Sequence, residues 1–271
     1  MKIKAIKTAV LHPPKDDLFR AIGGAIRSLP EKSIVVVTSK VVSIGEGRCV
    51  PVLQDPERRG RGHFDPARAR REKDALTMRE ADLYLPREAT PGAWCMHTVK
   101  NNIFIPSAGV DESNADGFYI LWPRSPAASA RQLWAWLRRR YRVRELGVII
   151  SDSHTIPLRR GVLGISLAHY GFAPLHDYRG SRDLFGRELK MTQKNIPDSL
   201  AAAAVALMGE GAECTPLALV TDVPWVRFGA KLRGSRKPFS SFEIRTQEDL
   251  YYPLLSAVKW RKGGGGKRKK K

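Results

Sequence analysis

Three acidic positions stand just past apolar runs, in settings that read as turns, and could hold a hard cation. They are Asp111 in Ser-Ala-Gly-Val-Asp-Glu-Ser-Asn (107–114), Asp152 in Val-Ile-Ile-Ser-Asp-Ser (148–153) and Glu210 in Met-Gly-Glu-Gly (208–211). Mg²⁺ is bound by oxygen, through a few carboxylates together with substrate phosphates, so acids on separate loops suit phosphate chemistry if folding brings them together. Each also has a plain structural reading. Asp111 could cap a turn, Asp152 could form an Asx-turn, and Glu210 could be an exposed residue past a helix. On the residues alone, turn aspartates being common, the plain readings carry more weight.

Other chemistries find less support. Cys49, Cys95 and Cys214 are odd in number, far apart and outside any Cys-x-x-Cys pair, which argues against a disulfide framework or structural zinc. Each reads as a small buried apolar residue, although Cys214 lies near the Glu210 segment in sequence. The histidines are scattered, with no His-Glu-x-x-His, and His169 and His176 read as structural or surface residues. No phosphate-binding loop of the Gly-x-x-x-x-Gly-Lys-Ser type occurs; Gly229 to Gly234 is followed by Ser235 where lysine is needed. Gly-x-Gly-x-x-Gly after a strand and Gly-x-Ser-x-Gly are absent too, which removes support for a dinucleotide fold and a serine hydrolase.

The positioning elements follow from periodicity. Residues 15–28 predict a helix, with Leu18, Ile22 and Ile26 on one face and Pro30 ending it. The β-branched run 33–42 and the run Leu146 to Ile150, which Asp152 follows, predict buried strands. Strands are also expected at 102–106 and 217–220, and a glycine-punctuated strand at 161–172. Residues 129–141 predict an amphipathic helix. A third helix follows Pro197 and is stopped by Gly209, which sets Glu210 at its end. Short strands mixed irregularly with helices predict an α+β chain with mixed sheets and packed helices.

At 271 residues and 42% hydrophobic content the chain can bury a core without staples. No apolar run approaches a membrane span and no signal block opens the chain, so the expected location is the cytoplasm. The 47 basic against 27 acidic residues, a formal +20, predict attraction to polyanions. The excess gathers at Arg58–Arg71, at Arg138–Arg144 and in Gly-Gly-Gly-Gly-Lys-Arg-Lys-Lys-Lys (263–271). The last reads as a disordered basic tail, and the arginines ending helix 129–141 suit its dipole.

Six segments in order resemble the coenzyme F-420 γ-glutamyl ligase family. They are Val-Val-Thr-Ser-Lys-Val-Val-Ser-Ile-Gly-Glu-Gly-Arg (36–48), the 107–114 and 148–153 runs quoted above, Arg-Arg-Gly-Val-Leu-Gly (159–164), Asp-Tyr-Arg-Gly-Ser-Arg-Asp-Leu-Phe-Gly-Arg-Glu-Leu (177–189) and Leu-Ala-Ala-Ala-Ala-Val-Ala-Leu-Met-Gly-Glu-Gly (200–211). The resemblance covers most of 1–228 and implies a two-lobed fold and a homodimer. It implies two Mg²⁺ or Mn²⁺ ions, admits K⁺ beside them, and brings GTP as co-substrate. Asp111 and Asp152 would hold one ion, and Ser153 and Glu210 the other. Ser39, Lys40, Asn114, Met208, Gly209, Gly211 and Glu213 would meet the nucleotide. Three departures mark a divergent branch. Ile44 stands where the family usually has lysine, Ser153 replaces threonine, and Ile-Pro-Ser-Ala-Gly (105–109) replaces Cys-x-Asn-Ala-Gly.

Arg159, Arg160 and Arg179 are candidates for phosphate or glutamate carboxylates, because guanidinium meets both bidentately. Asp177 and Asp183 read as partners of Arg179 and Arg182. The expected layout is a ligase core over 1–228 with an Arg-rich surface excursion at 54–74, an appendage at 229–262 and the tail. The expected activity is GTP- and metal-dependent joining of L-glutamate to an activated carboxylate of a coenzyme F-420 precursor, through an acyl phosphate. A folate-like or other carboxylated acceptor is the first alternative. A non-catalytic polyanion-binding protein on the same scaffold is the second.

Overall fold

Ile34, Val35, Val36 and Val37 are all wholly buried, so their strand must be covered on both faces. The computed structural model describes residues 1–53, 65–229 and 243–266. In chain order the first elements are β1 (Lys2–Ile6), α1 (Leu18–Ala25), β2 (Ser33–Thr38), α2 (Ser39–Gly45), β3 (Cys49–Pro51), α3 (Pro66–Glu80) and β4 (Leu83–Tyr84). Next come β5 (His97–Lys100), β6 (Ile103–Pro106), β7 (Phe118–Ile120), α4 (Pro126–Tyr141), β8 (Leu146–His154) and β9 (Leu163–Tyr170). The last are β10 (Leu175–Asp177), β11 (Gln193–Asn195), α5 (Ile196–Met208), β12 (Leu217–Thr221), α6 (Tyr252–Ser256) and β13 (Arg261–Lys262). The chain is α+β, with mixed and antiparallel sheets and helices packed against them.

The main sheet has the order β1-β12-β2-β8-β9, and only β2 and β8 are parallel. Val35, Val37, Val148 and Ile150 face α1, α2 and α4, packing on Ile22, Val42, Leu133 and Leu137. Ile34, Val36 and Ile149 face the other way onto α5, through Leu200, Ala201, Ala204 and Met208. The alanines of α5 let it lie close to the sheet; a Cβ on Gly164 of β9 would collide with Ala201 and Val205. Beside this layer stands a smaller sheet, β13-β4-β5-β6, with α3 and the β3-β7 ladder.

The structure corrects several expectations. The strand begun at Ser33 ends at Thr38, and Ser39–Gly45 is a helix rather than more strand. An apolar run suits a buried helix as well as a buried strand, and α2 is buried on the α1/α4 side. Within the excursion expected at 54–74, residues 66–74 open α3, whose start is set by Asp65 accepting from Ala67 N and by Pro66. Residues 54–64, with Arg58, Arg59 and Arg61, lie outside the described residues. The arginines of α4 do more than face a dipole. Arg138 lies 4.5 Å from the Trp134 ring centroid and Arg140 packs over Trp136 and Tyr141.

The start of the expected tail is not free. The N–H groups of Gly263, Gly264, Gly265 and Gly266 donate to Asp82, Met78, Ala81 and Arg79 carbonyls, at 2.8–3.0 Å. They satisfy carbonyls at and just past the C-terminal end of α3 that a helix leaves orphaned. Only glycine permits the approach, since a Cβ on Gly264 would come 2.5 Å from the Arg79 oxygen. Residues 267–271 lie outside the described residues. Cys49 and Cys95 are half-buried, but Cys214 is exposed, and all three are free thiols.

Candidate functional site

The parallel pairing of β2 and β8 does the first work of assembly. Thr38 is in register with Ser151, so Ser39 and Asp152 both emerge at the carboxyl ends of adjacent strands. Ligands in open mixed sheets favour that edge. Asp152 is therefore inside β8, not in the turn expected for it; the strand runs on to His154 because β9 continues to pair with it. One residue of β9, Leu167, is left over where Ile150 and Ser151 pair, and such a bulge bends the strand and re-aims the side chains beyond it.

The same edge receives the loop after α5. β12 is antiparallel to β2, and Thr38 N donates to Pro216 O, so residues 209–216 arrive beside the ends of β2 and β8. The α5 helix is started by Asn195, which accepts from Asp198 N, and is closed by Gly209 at φ +79°. Glu210 then meets Ser153, whose hydroxyl lies 2.8 Å from both carboxylate oxygens. Glu213 turns back and accepts from Gly211 N at 2.8 Å.

The third loop is held in an unusual backbone. Ser107, Ala108 and Gly109 are all left-handed, at φ 51°, 52° and 68°, a conformation costly for the first two. Thr98 Oγ1 accepts from Ala108 N and Ser107 O accepts from Val110 N, which fixes the turn. Asp111 follows and exchanges both backbone hydrogen bonds with Ile120 of β7. Its carboxylate takes Lys40 Nζ at 2.7 Å, and Lys40 also donates to Ser113 O at 2.7 Å. Asn114, at φ 49°, donates from Nδ2 to Gly211 O at 2.9 Å, joining the second and third loops.

Asp111, Asp152, Ser153, Glu210, Ser39, Lys40, Asn114 and Gly211 are thus linked along one edge. Asp152 hydrogen-bonds Ser39 and Trp122 and is close enough to feel the charge of Asp111. Burial first, and Asp111 after it, push the Asp152 carboxyl up to about 6, against the hydrogen bonds from Trp122 and Ser153. Asp111 goes the other way. Burial would raise it, but the Lys40 ammonium and hydrogen bonds from Lys40 and Ser113 hold it below the usual range. Met208 is buried behind this group, while Gly209 and Glu213 belong to its exposed loop.

Other expected residues stand apart from these contacts. Arg159 and Arg160 are exposed in the loop between β8 and β9, and Arg159 donates to Leu158 O. Arg179 lies on the β10–β11 hairpin and is paired with Asp177 at 2.6 Å, as the residues suggested. Asp183 instead accepts from the backbone N–H of Phe185 and Arg187, closing the hairpin tip. Among the described residues no group of three or more His, Cys, Asp or Glu is arranged to hold a metal. The oxygen donors come as two pairs: Asp111 with Asp152, and Ser153 with Glu210.

Two participants were not foreseen. Ser113 bridges Asp111 and Lys40, and Trp122, four residues before α4, points its indole N–H at Asp152. The first stands in the same motif as Asp111, but nothing in the local sequence marks Trp122.

A profile of the family described as F420-0:Gamma-glutamyl ligase matches residues 5–222. The coenzyme F420:L-glutamate ligase of Methanopyrus kandleri is 35% identical over 212 residues, 75% of this chain and 79% of that protein. The enzyme of the same name from Methanothermobacter thermautotrophicus is 31% identical over 220 residues, 77% and 82% of the two chains. That from Methanococcus maripaludis is 38% identical over 125 residues, 46% of this chain and 50% of its own. All the residues joined along the sheet edge lie inside the matched span.

Proposed function

The chain belongs to the F420-0:gamma-glutamyl ligase family and is a ligase forming carbon–nitrogen bonds; from that premise we propose that it joins L-glutamate to a coenzyme F420 precursor in the cytoplasm, using GTP. The observation that carries the reading is the meeting of Asp111, Asp152, Lys40, Ser153 and Glu210 at the carboxyl edge of the β2–β8 pair.

The chemistry has two displacements. A carboxylate oxygen of the acceptor attacks the γ-phosphorus of GTP, the bond to the β-phosphate oxygen breaks, GDP leaves, and an acyl phosphate forms. The glutamate ammonium gives up one proton to solvent, and the resulting amine attacks the acyl carbon and loses a second proton to solvent. The carbon–oxygen bond to phosphate breaks, inorganic phosphate departs, and the amide remains. In the first step charge spreads over the phosphoryl oxygens, and catalysis is mainly positioning and charge stabilisation.

Lys40 is the side chain poised for that task. It now neutralises Asp111 and would turn to phosphate oxygens once that acid had another cation. Asn114 and the 208–213 backbone bound the nucleotide side, with Ser39 holding Asp152. Arg159 and Arg160, with no acidic partner among the described residues, face solvent and suit carboxylates of glutamate or the acceptor.

The donor set fits hard divalent ions. Two neighbouring carboxylates, one of them raised to about 6 by its surroundings, form a site that an added positive charge would relieve. Asp111 and Asp152 would hold one Mg²⁺ or Mn²⁺, and Ser153 and Glu210 a second, with K⁺ as a further ion. Such ions supply positive charge to bridging phosphate oxygens. So few protein donors leave room for water and phosphate, as Mg²⁺ prefers.

The working unit is proposed to be a homodimer. The hairpin tip leaves Leu184 and Phe185 98% and 94% exposed, which a second copy could cover. The +20 charge favours a second property, weak polyanion contact with steep salt dependence.

The test is glutamate-dependent GDP release by purified protein with Mn²⁺, offered a coenzyme F420 precursor or a folate as acceptor. Activity with the precursor alone supports the proposal; activity with the folate alone reassigns the acceptor; no release with either overturns it.

A further inference from the structure

Trp122 is 1% exposed, and its indole N–H donates to Asp152 Oδ2. A buried indole usually finds some acceptor, so that bond alone would be ordinary. What surrounds the ring is not. Arg48 Nε donates to the Trp122 carbonyl at 3.0 Å, while Arg48 Nη2 reaches Glu80 at 2.7 Å. Lys100 Nζ sits 3.0 Å from the same Glu80 oxygen and 5.4 Å from the Trp122 ring centroid. Glu80 and Lys100 are 1% and 5% exposed, so three charged side chains are packed behind one tryptophan.

The opposite wall is equally committed. Gly109 ends the left-handed turn before Asp111, and any Cβ there would overlap the indole nitrogen. The turn that delivers Asp111 is therefore moulded against the ring that holds Asp152. Removing a partner from a buried charge cluster is costly, so this packing is over-determined in the way that strained functional segments require.

We propose that Trp122 is a positioning residue that fixes the rotation of the Asp152 carboxylate beside Asp111, backed by the buried Glu80–Lys100 pair and the half-buried Arg48. The inference rests on the ligase reading above, in which both acids hold a divalent ion. Without the N–H, Asp152 keeps Ser39 and the Ser153 backbone but loses its fixed rotation, so cation binding weakens while glutamate recognition does not.

The test compares wild type, Trp122→Phe, and protein carrying at 122 the benzothiophene analogue of tryptophan, which keeps the ring shape and replaces N–H by sulfur. The analogue guards against Trp122→Phe failing to fold. Mn²⁺ binding in the absence of substrates is read by electron paramagnetic resonance, and kcat and KM by GDP release. The expected result for both variants is a Mn²⁺ Kd raised about tenfold and kcat lowered about tenfold, with KM for glutamate unchanged. Variants that match wild type in Mn²⁺ Kd and kcat overturn the role of Trp122 and leave the ligase reading standing. Wild-type protein that neither binds Mn²⁺ nor releases GDP overturns both.

Discussion

Ser153 and Glu210 lie 57 residues apart in the chain, yet the Ser153 hydroxyl is 2.8 Å from both oxygens of the Glu210 carboxylate. Two elements that share no local sequence signal, the end of β8 and the loop closing α5, are joined there. Glu210 is exposed, so Glu210→Gln should leave the fold and its unfolding midpoint nearly unchanged. Glutamate-dependent GDP release should fall about 10- to 100-fold, the usual scale for disturbing a metal shell. Steady-state kinetics over a Mn²⁺ series check this, and undiminished activity removes Glu210 from the site.

Lys40 is the one ammonium hydrogen-bonded to Asp111 among the described residues. Lys40→Met should reduce kcat by about 10²-fold, through lost charge stabilisation of the phosphoryl group. The Asp111 side chain is 43% exposed, so the ion pair itself contributes no more than about 1 kcal/mol to stability. Denaturant titration and turnover measured on one preparation separate the two effects.

His169, on the face of β9 beside Phe172, is pushed down to about 4 by burial. Between its ordinary 6.5 and about 4 the unfolded chain binds the proton more readily than the folded one. Stability is therefore lost as pH falls through that window, by up to roughly 3 kcal/mol from this residue. Denaturant midpoints at pH 7 and pH 5 should converge in His169→Phe relative to wild type.

Gly264 donates to Met78 O while passing close to Arg79 O. Gly264→Ala should cost about 1–3 kcal/mol by overpacking and speed amide exchange across 263–266. Exchange mass spectrometry of the C-terminal peptide reads this. Fast exchange in the unmodified protein would return the segment to the free linker that its composition suggests.

Much of this was legible, for identifiable reasons. The alanine-rich helix now seen as α5 declared itself by propensity and its glycine stop, and the apolar runs of β2 and β8 by burial on two faces. The family motifs named Asp111, Asp152, Ser153 and Glu210, which the fold brings to one sheet edge, because each stands in a short run at a strand or helix end. What escaped was decided by contacts distant in sequence. The break at Thr38 depends on α1 and α4 covering α2; the strand character of Asp152 depends on β9; the docking of Gly263 depends on the end of α3. The α3 start was signalled by Asp65-Pro66, but its charged, weakly amphipathic body hid the helix. The packing of Trp122 depends on Gly109 and Lys100, which no local pattern links to it.

The most direct measurement is an anomalous difference map from crystals of the protein grown with Mn²⁺ and a non-hydrolysable GTP analogue. One peak is expected between Asp111 and Asp152 with Lys40 released from Asp111, and a second at Ser153 and Glu210. Manganese bound elsewhere, or nucleotide seated away from this sheet edge, would contradict it.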